Sequence, residues 1–64
     1  MAIEEVVSQA RRELLLIDGV VAVSYYDNVI VVYVESEDVA RRIPRTYRGY
    51  PVEVRVVGRV TLLR

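Results

Sequence analysis

Over residues 2–17 the apolar positions Ile3, Val6, Val7, Ala10, Leu14 and Ile17 recur at helical spacing, while Glu4, Glu5, Ser8, Gln9, Arg11, Arg12 and Glu13 fill the other side. This pattern predicts an amphipathic helix. The acids in its first turn and the arginines further along suit the helix dipole, and Asp18 with Gly19 supplies a stop. Leu15 and Leu16 widen the apolar stripe, so extra burial is expected near the helix end.

The pattern then changes to β-branched and aromatic residues, Val20 to Tyr26 and Val29 to Val34, with Asp27 and Asn28 between them. Asp and Asn tolerate positive φ, so a hairpin with a two-residue turn is predicted. Its pairs would be 25 with 30, 23 with 32 and 21 with 34. One face then holds Val21, Val23, Tyr25, Ile30, Val32 and Val34 and is expected under the helices. The other holds Val20, Ala22, Ser24, Tyr26, Val29, Val31 and Tyr33, which is too apolar for a fully solvated surface and implies a partner. The swapped assignment of faces stays open.

Ser36 can cap a second helix, with Glu37 and Asp38 in its first turn, a narrow stripe of Val39, Ala40 and Ile43, and Pro44 as its end. Val52, Val54 and Val56 alternate with Glu53, Arg55 and Val57 as a third strand, and Gly58 suggests a bulge or bend. Residues 59–64 could add a short edge strand through Val60, Leu62 and Leu63. The stretch Ile43 to Pro51 suits neither regular helix nor strand. The expected architecture is a single α+β domain over residues 1–64. It is a two-layer sandwich of order α-β-β-α-β(-β), whose three- to four-stranded, mostly antiparallel sheet has both helices on one face. The spatial strand order 2-1-3 is favoured, with the hairpin's first strand in the middle.

Composition narrows the chemistry. The 64 residues include no cysteine and no histidine, so disulfides, thiolate metal sites and the commonest general base are absent. A domain of this size buries only about 60% of its unfolded surface, so packing or self-association must supply stability. Formal charge is zero, but residues 1–40 carry two arginines against eight acids and residues 41–64 carry seven arginines against one glutamate. Such asymmetry suits an anionic partner or pairing of the two halves. Arginine is the only basic residue, and lysine, phenylalanine and tryptophan are absent. A heat-adapted source would give this composition, and so would a designed or simplified sequence with no biological function.

Catalysis is the least supported reading. Ser8, Ser24 and Ser36 have no histidine or lysine to activate them, and Gly19, Gly49 and Gly58 form no phosphate loop. Glu35, Glu37 and Asp38 lack calcium-loop spacing, so no metal or cofactor is implied. No stretch is apolar enough to span a bilayer, and the default is a soluble, cytoplasmic protein without membrane contact. Arg41, Arg42, Arg45, Tyr47 and Arg48 interleave guanidinium groups with an aromatic ring and offer the alternative function, binding nucleic acid or another polyanion.

The run Ile43-Pro44, Gly49, Pro51-Val52, Val54 and Gly58, preceded by the strand 28–34 and by Asp18-Gly19-Val20-Val21 after a helix, resembles the segment that precedes the protease domain in bacterial and archaeal trypsin-like peptidases. That resemblance implies an accessory α/β module with no catalytic residue here. The order of elements is also similar to the bacterial domain of osmotic-stress and nodulation proteins. The preferred expectation is a structural or protein-interaction module that forms a homodimer or docks on a protein partner. Contacts are expected through Tyr26, Val29, Val31 and Tyr33 of the open face, or through Val60, Leu62 and Leu63 of the C-terminal edge. A charge at Val31 is expected to weaken association without unfolding the chain.

Overall fold

The computed structural model describes residues 2–58; the expected edge strand with Val60, Leu62 and Leu63 lies outside them. The elements are α1 (Ile3–Leu14), β1 (Val20–Tyr26), β2 (Val29–Val34), α2 (Glu37–Ala40), β3 (Thr46–Tyr47) and β4 (Tyr50–Val56). They form an α+β fold in which a mixed four-stranded sheet is packed by the helices.

Helix α1 buries Val6, Val7, Ala10 and Leu14 along one stripe. Full burial of each valine or leucine contributes about 1.5–3 kcal/mol, so this stripe is the main anchor of the helix. The helix is shorter than its apolar pattern. Its end is tightened by N–H donation from Leu16 to Glu13 and from Ile17 to Leu14, and this turn swings Leu15 and Leu16 outward. Leu16 is 85% exposed, so the expected extra burial does not occur and only Ile17 packs back on the core.

The sheet order is β1-β2-β4-β3, which corrects the expected 2-1-3 arrangement. β2 is the central strand. It pairs antiparallel with β1 and parallel with β4, matching Ile30, Val32 and Val34 with Val52, Val54 and Val56. A central strand has strand neighbours on both edges, and β2 (VIVVYV) is apolar at every position, whereas β1 contains Ser24 and two tyrosines that suit an edge. Val6, Val7, Ala10, Leu14, Val39 and Ile43 share one core with Val23, Ile30, Val32 and Val34, so both helices lie on the same side of the sheet.

The hairpin turn is as expected, with Asp27 and Asn28 at φ 53° and 65°. The pairs Tyr25–Ile30 and Val23–Val32 form, but Val34 faces Val20 rather than Val21 because the register shifts between Val20 and Ala22. The extra residue turns Val20 toward the core and leaves Val21 49% exposed. Tyr25, at the turn end of its strand, is 40% exposed rather than covered.

Helix α2 is a single turn. Ser36 caps it, its Oγ accepting the Val39 N–H at 3.4 Å, and further turns carry the chain to buried Ile43. The stretch 43–51 is more regular than its sequence suggested. Thr46 pairs with Pro51 and Tyr47 with Tyr50, around a turn in which Arg48 and Gly49 take φ of 50° and 89°. Two adjacent positive φ values close a tight hairpin, and Gly49 supplies the one that needs no side chain.

Gly19 does not cap α1. It sits at φ 99° where the chain enters β1, its carbonyl accepts the Glu35 N–H at 2.9 Å, and a methyl group there would overlap a methyl of Val39. Gly19→Ala is therefore expected to cost roughly 2–4 kcal/mol, from backbone strain and overpacking together. Gly49→Ala meets open space and should cost about 1 kcal/mol. Urea denaturation of the two variants checks this, and equal losses would contradict the close approach at Gly19.

Candidate interaction surfaces

The sheet face away from the helices carries Ser24 and Tyr26 from β1, Val29, Val31 and Tyr33 from β2, and Glu53 and Arg55 from β4. No described helix covers it. Six of these side chains, Tyr26, Val29, Val31, Tyr33, Glu53 and Arg55, line one shallow concavity. Tyr26 is 77% exposed and Val29 and Tyr33 are half-buried. Val31 is only 6% exposed, although it stands apart from the helix-side core, so its neighbours on the open face enclose it. At the border, Arg55 Nε donates to Glu53 Oε2 at 2.9 Å; both side chains are about half exposed, so this pair adds little stability. The patch thus has an apolar centre, an aromatic projection and a polar rim.

The two sheet edges differ. Along β1, Arg11 donates to the Val23 carbonyl from Nη2 at 3.0 Å and from Nε at 3.3 Å. With the irregularity at Val21, this blunts the edge against another strand. Among the described residues, the outer edge of β4 is covered only at its start, by β3 and by the Arg45 carbonyl, which accepts the Val52 N–H at 2.8 Å. Val57 N–H points the other way, to Val34 of β2. Backbone groups alternate along a strand, so Glu53 and Arg55 also address β2, while Val54 and Val56 direct theirs outward like Val52. Beside them, on the helix side, a groove of about 570 Å³ runs between α2 and β4, with Ala40, Ile43, Val52, Val54 and Val56 in its lining together with Glu37, Arg41 and Arg45. The sequence reading missed this edge because it placed the third strand beside β1. The wholly apolar β2, flanked by strands of mixed character, was the signal that could have revealed it.

The residues of the arginine-rich stretch are dispersed. Arg41 reaches Asp38 at 3.5 Å across an exposed pair, and Arg42 is exposed. Tyr47 donates its hydroxyl to Glu13 of α1 at 2.8 Å, and Arg48 lies 5.6 Å from the centre of the Tyr47 ring. The ring that could stack a base is thus tied beside a carboxylate and shares a face with its own neighbour. Among the described residues no three acidic side chains gather as metal ligands, and no helix is long and apolar enough to cross a membrane.

The burial of Val31 changes what a charge there would do. Val31→Glu is expected to destabilise the fold by at least about 2 kcal/mol, because a carboxylate would lose water without gaining a partner. Tyr26→Glu, on the same face but exposed, should leave the unassociated chain within about 0.5 kcal/mol of the parent when both are melted at a concentration low enough to keep them monomeric. Thermal denaturation followed by circular dichroism distinguishes them, and an unperturbed Val31→Glu would show that the face is more open than described. No protein-family model, curated protein or solved structure matches this chain.

Proposed function

We propose that the chain is a non-catalytic protein-interaction module that self-associates through its open sheet face. The observation that supports this most is the uncovered patch of Tyr26, Val29 and Tyr33 around enclosed Val31, rimmed by Glu53 and Arg55. An apolar centre, an exposed tyrosine and a polar border are the usual anatomy of a protein interface. Two copies stacked face to face would cover both patches, and a small domain gains stability from such association. The resemblance to the leading segment of trypsin-like peptidases points in the same direction, toward an accessory module. Polyanion binding through Arg41, Arg42, Arg45, Tyr47 and Arg48 has less support, since Tyr47 is engaged by Glu13 and Arg41 by Asp38.

Light scattering and sedimentation at micromolar concentration test the reading. The parent chain is expected to be a dimer, and Tyr26→Glu should raise the dissociation constant at least about tenfold, the equivalent of one lost interfacial contact of about 1.4 kcal/mol. A parent chain that is monomeric throughout, or a dimer indifferent to Tyr26→Glu, rules it out.

A further inference from the structure

Two copies can stack through the open face in several orientations, and the charges on that face distinguish them. We infer that they stack about a two-fold axis crossing the strands between Val31 and Tyr33, so that Glu53 of each copy meets Arg55 of the other. This orientation rests on self-association through that face. Strand pairing sets two neighbouring rows across it, Ser24, Val31 and Glu53 in one and Ala22, Tyr33 and Arg55 in the next. Turning a second copy about such an axis keeps like strands opposed and exchanges the rows. Glu53 then lies over Arg55, the ring of Tyr33 over the hollow floored by Val31, and Ser24 over Ala22, so acid meets base and bulk meets space. Beyond these rows Pro51 comes over Val57, which is 47% exposed, and Tyr26 over the bulge at Val21. Facing sheets lie about 10 Å apart, a gap that a glutamate and an arginine span together.

Other two-fold arrangements lack this match. An axis through the Val31 row, or along β4, sets Glu53 against Glu53. An axis along β2 sets Tyr33 against Tyr33 and leaves both charges opposite Ser24 and Ala22. Like charges across an interface are unfavourable and so fix its register. The ion pair within each chain does not forbid the exchange. Among the described residues Arg55 donates from Nε alone, to Oε2 of Glu53 at 2.9 Å, which leaves its Nη groups and Oε1 of Glu53 for the other copy. A guanidinium has five N–H donors and a carboxylate two oxygens, so two arginines and two glutamates can close a ring across the axis. An acid and a base two residues apart on one face complement their own inverted copy, which singles out a second copy as the occupant.

The experiment uses the full chain and three variants, Glu53→Arg, Arg55→Glu and the double exchange Glu53→Arg/Arg55→Glu, in sedimentation at low salt, where charges are least screened. These positions are exposed, so each variant should melt close to the parent when monomeric. Each single variant should dimerise at least about tenfold more weakly than the parent, and the two mixed together should recover a heterodimer. The double variant, identical to the parent in composition, should dimerise within about threefold of it. Native mass spectrometry of the parent with the isotope-labelled double variant should show the two homodimers and few mixed dimers, because mixing opposes like charges at both contacts. A parent dimer that neither single reversal weakens, or statistical mixing of the parent with the double variant, overturns this orientation while self-association stands. A monomeric parent overturns both.

Discussion

The fold depends on β2 lying at the centre of the sheet. Ile30, Val32 and Val34 are fully enclosed on the helix side, and Val31 is nearly so on the other. A strand with apolar residues at every position loses hydrophobic free energy on any exposed face, at about 25 cal/mol per Å². Only the middle of the sheet gives it neighbours on both edges. Parallel pairing with β4 follows, because β1 already occupies the other edge through the tight Asp27–Asn28 turn. A parallel partner requires a crossover, and Ser36 to Arg45 provides it, with α2 placing Val39 and the turn after it placing Ile43 in the same core as α1.

This arrangement distributes the surfaces. With both helices on one side, the other side of β2 is shielded only by flanking side chains, which leaves a small patch instead of a broad apolar sheet. The edges inherit different fates. β1 lies beneath α1 and receives Arg11 on its Val23 carbonyl, whereas among the described residues the outer edge of β4 meets only the two residues of β3 and the Arg45 carbonyl. An exposed edge is a hazard for unspecific pairing. Here Arg45 stands beside it, with Glu37 and the Arg41–Asp38 pair close by.

Much of the local structure was legible in the residues. The apolar stripe of α1, the Asp27–Asn28 turn, the Ser36 cap and the alternating valines of β4 each have a local physical cause that acts in the isolated sequence. What was not legible depends on tertiary context. Val21 matches the alternation of a core position, yet a bulge passes that role to Val20. Leu15 and Leu16 fit a helical stripe, yet the turn into β1 ends the helix before them. Tyr47 and Tyr50 read as loop aromatics because a two-residue strand leaves almost no periodic trace, and only pairing across Arg48–Gly49 defines it. Of the candidate surfaces, the tyrosine face was visible from alternation, although the enclosure of Val31 was not. The β4 groove was invisible because strand order depends on pairings between residues about twenty apart in sequence.

The central claim is that β2 and β4 are parallel neighbours, with the far edge of β4 open among the described residues, and amide hydrogen exchange tests it most directly. The amides of Glu53, Arg55 and Val57 should exchange slowly, because they address β2. Those of Val54 and Val56 should exchange fast, while the amides of β2 are protected throughout. Fast exchange at Glu53 and Arg55, or protection of β2 only where it meets β1, would contradict the account and favour β1 as the central strand.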